Sequence, residues 1–250
     1  MKIFSFGGGR RLSFCAEYLS DMTGDYDELI LLPIPTTKDN IHVKGSDLTL
    51  SEISERSGHR SAVCGYGLPD LFREELESRG AQVFDGLYSE DFLVENALLT
   101  VDGALGEILK SFDSAPRELS IGVIGYGRIG KRLLEVLLFL GGRVKVYTRS
   151  ARARCELGKE GIESGEFVFD GDYSGIDLLI NTAPTVVMSE EKVKECEEKG
   201  LQILDLASGE CFPTSPIVKK LASIPELFYP KSAGRLYAKY ISEFLRLEKK

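Results

Sequence analysis

Residues 120–150 constrain this chain more than any other stretch. A short apolar run, Ile121-Gly122-Val123-Ile124, leads into Gly125-Tyr126-Gly127-Arg128-Ile129-Gly130. A helical pattern runs from Lys131 to Leu140, stops at Gly141-Gly142 and gives way to Val144-Lys145-Val146-Tyr147. The order strand, glycine turn, helix, strand assigns each glycine a mechanical task. Gly125 permits the tight turn, Gly127 lets backbone approach a pyrophosphate, and Gly130 lets the helix pack closely on the strand. The helix N-terminus adds unpaired N–H groups and partial positive charge. A glycine motif alone is weak, and the competing reading is an ordinary glycine-rich βα turn. Here both strands and the helix stand at the right distances, so Gly125 to Gly130, with Tyr126, Arg128 and Ile129 among them, is expected to bind a dinucleotide.

The end of the second strand bears on which dinucleotide. NAD-binding units place an acid about twenty residues past the glycines to hold the ribose 2′-hydroxyl. This chain instead has Tyr147-Thr148-Arg149-Ser150, then Arg152 and Arg154, with no acid before Glu156. A carboxylate would repel a 2′-phosphate, whereas arginine forks and hydroxyls hold one. NADP(H) is therefore expected in preference to NAD(H), through Thr148, Arg149, Ser150 and Arg154. The alternative is a solvated basic helix start.

The totals bound the rest. A length of 250 residues with 43% apolar content suits two modest α/β domains with packed cores. Net charge is −8 and the basic clusters are short, which argues against nucleic-acid and anionic-membrane partners. The five cysteines are scattered, odd in number and without ligand spacing, so they read as free thiols in a reducing compartment, with no metal site. The N-terminus lacks a signal-peptide apolar region, and Leu133 to Leu140 is far too short to span a bilayer. A cytoplasmic location and a homo-oligomeric assembly are expected.

Strand and helix patterns alternate along the whole chain. Strands are expected at Lys2–Phe6, Glu28–Leu32, Ser61–Cys64 and Ala81–Phe84, with helices at 10–20, 50–56 and 69–79. Asp91 to Phe112 is too long and too apolar for a surface helix, and reads as a connecting helix packed between domains. Further strands are expected at Glu166–Phe169, Asp177–Ile180, Leu201–Asp205 and Glu226–Tyr229, with helices at 189–199, 216–222 and 234–247. The fold class is α/β: two doubly wound parallel-sheet domains, the C-terminal one a Rossmann unit, joined by long connecting helices. Residues 1–90 form a flavodoxin- or Rossmann-like substrate domain, 91–115 the connecting helix, 116–232 the NADP-binding domain, and 233–250 a helix returning to the first domain.

Several stretches together resemble the A subunit of bacterial dipicolinate synthase, a sporulation enzyme. They are Asn96 to Gly103, Gly122 to Gly130 with the Arg149-Ser150 ending, Ile180-Asn181-Thr182-Ala183-Pro184, Leu204-Asp205-Leu206-Ala207-Ser208 and Pro230-Lys231-Ser232-Ala233-Gly234. The resemblance implies NADP as cofactor, oxidation of a dihydropyridine dicarboxylate to dipicolinate, and a flavoprotein-like second subunit. It implies that Asn181, Thr182, Ala183, Pro184, Ala207 and Ser208 lie beside the nicotinamide half of the cofactor. The chain departs from the family after Gly9, which runs directly into Arg10 where an acid is usual. It departs again after Ser208, which is followed by Gly-Glu-Cys-Phe-Pro, and in a shorter loop before Lys231.

A hydride transfer needs a held substrate and a proton acceptor. His42 and His59 are the only histidines and neither sits in a motif. Asp102, on the connecting helix, is the best carboxylate candidate, with a helix-surface role as its alternative. A dicarboxylate needs cations and donors, for which Arg10, Thr36, Thr37, Lys231, Ser232 and Arg235 are candidates. Two other readings stay open. One is an NADP-dependent dehydrogenase of the D-2-hydroxyacid type, although those carry a late catalytic His and none follows His59. The other is a catalytically idle NADP(H)-binding subunit.

Overall fold

The computed structural model describes residues Met1–Lys249. Cα packing divides the chain into two compact units, one of Met1–Leu99 with the segment from Pro225 onward, the other of Thr100–Ile224. In chain order the first unit holds β1 (Lys2–Ser5), α1 (Arg10–Leu19), β2 (Met22–Thr23), β3 (Glu28–Leu31), α2 (Leu50–Arg56), β4 (Ser61–Gly65), α3 (Asp70–Ser78) and β5 (Gln82–Asp85). Helix α4 (Glu90–Ser111) carries the chain into the second unit.

The first sheet has strand order β1-β3-β4-β5, all parallel. Side chains alternate between its faces with the period of two that a strand imposes. Leu29, Leu31, Ala62 and Cys64 pack under α1 and Phe92 of α4. Ile30 and Val63 pack against Ile53 of α2 and Phe72 and Leu76 of α3. Both faces are covered, as a parallel sheet requires.

The second unit holds β6 (Ser120–Ile124), α5 (Arg128–Phe139), β7 (Arg143–Tyr147), α6 (Ala151–Lys159), β8 (Glu163–Gly165), β9 (Leu178–Asn181), α7 (Glu190–Glu198), β10 (Gln202–Asp205) and β11 (Val218–Lys220). Its strands are parallel in the order β11-β10-β9-β6-β7-β8. Counted within the unit and read from β8, that is 3-2-1-4-5-6, the dinucleotide-fold order. The strand order reverses between β6 and β9, and ligands bind such sheets at this switch point, beyond the strands' carboxyl ends.

The chain then returns through α8 (Ile224–Phe228) to α9 (Pro230–Leu245) and β12 (Glu248–Lys249). Strand β12 pairs antiparallel with β2. Tyr237 and Ile241 of α9 join the α1 side of the first core. The helices α1 and α9 approach closely at Gly234, where a Cβ would lie 2.6 Å from both Arg11 O and Phe14 Cβ.

Four sequence expectations need correction. The strand expected at 166–169 lies at Glu163–Gly165, because pairing with Lys145–Tyr147 sets it, while the apolar Val168 and Phe169 are exposed. The helix expected at 216–222 contains strand β11, a lysine-bearing edge strand. Conversely, the strand expected at 226–229 falls largely in α8. The last helix starts at Pro230, at its first turn, rather than at Gly234.

Candidate functional site

At the switch point, β6 hands over to α5 through Gly125 and Gly127. Gly125 has φ +94°, which side chains rarely adopt, and a Cβ there would lie 2.5 Å from Thr182 Oγ1. Gly127 caps α5 without a side-chain hydrogen bond, so the first amides of the helix lack the usual oxygen acceptor. A Cβ on Gly127 would meet nothing within 4 Å, so open space lies beside those amides. Gly130 sits underneath: a Cβ there would overlap the Gly125 carbonyl oxygen and lie 3.2 Å from Thr182 Oγ1. Its close packing is therefore against the turn itself, a tighter constraint than the helix-on-strand contact the motif suggests. Across the switch point, the Thr182 hydroxyl and amide both donate to Ile124 O, each at 2.9 Å. Tyr126 lies beside the turn with Lys131 Nζ 5.2 Å from its ring centre, Arg128 is exposed on the first turn of α5, and Ile129 is half-buried.

Beside the turn, an open pocket of about 310 Å³ is bounded by Gly125, Tyr147, Thr148, Arg149, Phe167 and the loop Ala183-Pro184-Thr185. Arg149 is exposed at its edge, with its guanidinium 5.1 Å from the Phe167 ring centre and donating to Thr185 Oγ1 at 3.1 Å. These two contacts hold a planar cation over the pocket. Ser150 caps α6, its hydroxyl accepting from Ala153 N at 3.2 Å, and its own amide donates to Thr148 Oγ1. Arg154 turns back to donate to Thr148 O at 2.6 Å. Arg154 thus fastens the end of β7, and Arg149 is the cation presented to the pocket. Arg152 points away, paired with Glu156 at 2.8 Å. Phe167 and Thr185, which orient Arg149, carried no motif in the sequence.

Asn181 is fully buried. Its amide nitrogen donates to Asp205 Oδ1 at 2.9 Å and Ala183 O at 3.1 Å, while its oxygen accepts from Ala183 N at 3.0 Å. Asp205, 2% exposed, accepts at its second oxygen from Lys220 Nζ at 2.6 Å. The same ammonium donates to Ala207 O and Gly209 O, each at 2.6 Å. Asn181 therefore shapes the loop that presents Ala183 and Pro184, and Lys220 fastens the β10 loop that carries the buried Ala207 and the exposed Ser208. Cys211 lies beneath, its thiol against Ala183 O and Ser208 O at 3.7 and 3.8 Å, and burial pushes its pKa up. Lys220 carries no signal in the sequence, where residues 216–222 have a helical pattern rather than that of strand β11.

In the first unit, the residues expected to hold a dicarboxylate do not form one cluster. Arg10 is exposed at the start of α1. Thr36 is buried, donating to Pro33 O and accepting from Tyr66 N. Thr37 donates to Asp39 and accepts from Asn40 N. Lys231 and Arg235 line a cavity of about 520 Å³ together with Phe14, Glu17, Tyr18 and Asp21, which neither Arg10 nor the two threonines reach. Ser232 is exposed on the first turn of α9. The buried cation here is Arg11, 4% exposed, and not the expected Arg10. Asp102 is exposed on α4. His42 is held by Asp39 at 2.8 Å within a turn, and the hydrogen bonds of that turn keep the Asp39 carboxyl well below its usual range.

Among the described residues, no group of three or more His, Cys, Asp or Glu side chains is placed to hold a metal ion. No helix among them is long and apolar enough to cross a membrane.

No protein-family model matches the sequence, and no curated protein matches it significantly. Solved structures do share the fold. The A subunit of dipicolinate synthase from Bacillus halodurans superposes with a TM-score of 0.77 at 20% identity, over 98% of this chain and 97% of that one. The corresponding chain of dipicolinate synthase from Bacillus subtilis gives 0.77 at 18% identity, over 98% and 96%. A D-isomer specific 2-hydroxyacid dehydrogenase from Lactobacillus delbrueckii ssp. bulgaricus, solved in its NAD-complexed form, gives 0.52 at 12% identity, over 98% and 96%. Across almost its whole length, this chain has the fold of the dipicolinate synthase A subunit.

Proposed function

We propose that this chain is an NADP(H)-dependent oxidoreductase that oxidises dihydrodipicolinate, or its hydroxytetrahydro precursor, to dipicolinate, working beside a flavoprotein-like second subunit. The observation that carries the reading is the switch point of the second unit. There an unfilled space opens at Gly127 next to the uncapped amides of α5, at the centre of a 3-2-1-4-5-6 sheet. That space fits a pyrophosphate, which needs backbone approach and donated N–H groups. Arg149, braced by Phe167 and Thr185, would take the 2′-phosphate. Thr182 would position the loop Ala183-Pro184 toward the nicotinamide half, with Asn181, Asp205 and Lys220 holding that loop rigid. When bound, a nicotinamide would supply hydride acceptance; loss of a hydride and a proton from the dihydropyridine gives the aromatic product, and the hydroxytetrahydro precursor first loses water to give that dihydropyridine.

The fold supports this reading through its likeness to the dipicolinate synthase A subunit. The lack of any histidine after His59 argues against the 2-hydroxyacid dehydrogenase alternative. The test supplies the purified chain, alone and with a candidate flavoprotein-like partner, with NADP and the product of dihydrodipicolinate synthase. Dipicolinate should accumulate together with reduced nicotinamide. If NADPH binds but no dipicolinate forms under either condition, the chain is a non-catalytic nucleotide-binding subunit.

A further inference from the structure

The first unit carries a carboxylate at the N-terminus of α1, beyond the carboxyl end of β1. Helix α1 begins after Gly7, Gly8 and Gly9, all with positive φ, and Gly9 gives it no side-chain cap. Its N-terminus is instead met by Glu226 from the short helix α8: Oε1 accepts from Arg11 N at 3.3 Å and packs so tightly on Gly9 that a Cβ there would overlap it. The Arg11 side chain is almost wholly buried beside Tyr66, Tyr237 and Cys15. Its Nε–H has no acceptor, and Glu226 is the strongest charge acting on it. Lys44, whose ammonium donates to Ile34 O at 3.0 Å, also feels the Glu226 charge. The N-terminus of α1 thus meets one carboxylate, with the Arg11 and Lys44 charges within its field, and the buried Arg11 Nε–H stays unmatched. A buried charge without full pairing is costly, and α1 with its ten residues is long enough to present an anion site.

We propose that the N-terminus of α1, with Arg11 and Lys44, is the seat for one carboxylate of the substrate, and that Glu226 occupies this seat as an internal stand-in until the ligand displaces it. The inference rests on the dicarboxylate reading above for the identity of the ligand. It moves the anion anchor from the exposed Arg10 to the buried Arg11, and it makes α8 a competitor of the substrate. The ligand carboxylate would accept from Arg11 N and from the Arg11 guanidinium. Glu226, half-exposed on a five-residue helix, would then swing outward.

The experiment titrates the full chain with pyridine-2,6-dicarboxylate by calorimetry and follows the Arg11 backbone amide by nitrogen–proton correlation spectroscopy. Glu226→Gln removes the competing charge with little change of shape, and should tighten binding at least about tenfold and shift the Arg11 amide on titration. Arg11→Lys in that background should return the affinity to the wild-type level or below. The proposal is overturned if Glu226→Gln binds no more tightly than wild type, or if the Arg11 amide does not respond. It is also overturned if a folded Glu226→Gln/Arg11→Lys protein keeps the tightened affinity. Turnover with NADP, measured on wild type, separates the two readings. Dipicolinate formation with an unresponsive Arg11 refutes the seat alone. A responsive seat without turnover refutes the reaction alone.

Discussion

Gly127 and Gly130 lie three residues apart and should fail in opposite ways. A side chain on Gly127 enters open space, and its φ of −87° is accessible to any residue. Replacing a glycine cap by valine costs about 0.5–1 kcal/mol of helix stability, so Gly127→Val should fold. The valine methyls would, however, fill the volume beside the α5 amides that a pyrophosphate needs. Losing two charge-assisted hydrogen bonds at about 1.5 kcal/mol or more each removes about 3 kcal/mol of binding, which is at least roughly a hundredfold in affinity. Gly130→Ala does the reverse. Its Cβ would overlap the Gly125 carbonyl oxygen and crowd Thr182 Oγ1 at 3.2 Å, and overpacking of this kind costs about 1–3 kcal/mol. The measurements are urea denaturation followed by circular dichroism, and NADPH fluorescence titration, on both variants. The reasoning is refuted if folded Gly127→Val binds NADPH as wild type does, or if Gly130→Ala is as stable as wild type.

Lys220→Met leaves Asp205 buried without its cation, though still accepting from Asn181 and Ala207 N, which should destabilise the second unit by about 1.5–3 kcal/mol and is read by denaturant midpoint; Lys220→Met with Asp205→Asn should recover part of the loss. Arg149→Asp with Ser150→Ala should abolish or invert a preference for NADPH over NADH, measured by paired titrations, while costing only about 1 kcal/mol of stability through loss of the Ser150 cap of α6. Glu95 accepts from Lys239 Nζ and the Tyr240 hydroxyl, each at 2.7 Å, and these hydrogen bonds hold its carboxyl below the usual range. A depressed carboxyl contributes stability above its unfolded pKa and loses it as pH falls through the folded value. Wild type should therefore be more stable than Glu95→Gln at neutral pH, with the gap closing as pH is lowered from about 4.5, followed by denaturation midpoints across that range.

The parts of the fold that hydrophobic periodicity dictates were legible in the sequence. The βαβ of residues 120–147 reads directly, because β6 is apolar from Ile121, Val144 and Val146 alternate with charged residues in β7, and Gly125 is forced by its φ and Gly130 by close approach. Two of the errors lie where pairing or charge decides structure. Val168 and Phe169 suggested a strand by their apolarity, yet register with β7 places the strand three residues earlier. Val218-Lys219-Lys220 looked helical, yet pairing with Ile203–Asp205 and the Lys220–Asp205 ion pair hold it extended. In the candidate site, Arg149 was visible as the missing acid of a motif, but its braces Phe167 and Thr185 are brought near only by the fold. Arg11 was overlooked because burial of one arginine rather than its neighbour is settled by the packing of α9 on α1. Glu226 could not be found from spacing, since 215 residues separate it from Arg11.

A dinucleotide held at the β6–β9 switch point, with Arg149 choosing its ribose, is the centre of the proposed function. The most direct test is titration of the unmodified chain with NADPH and with NADH, side by side, following cofactor fluorescence. NADPH should bind saturably and about tenfold or more tightly than NADH, the difference expected from one exposed charge-assisted contact to the 2′-phosphate. Equal affinity for the two would contradict the role given to Arg149, and binding of neither would contradict the site itself.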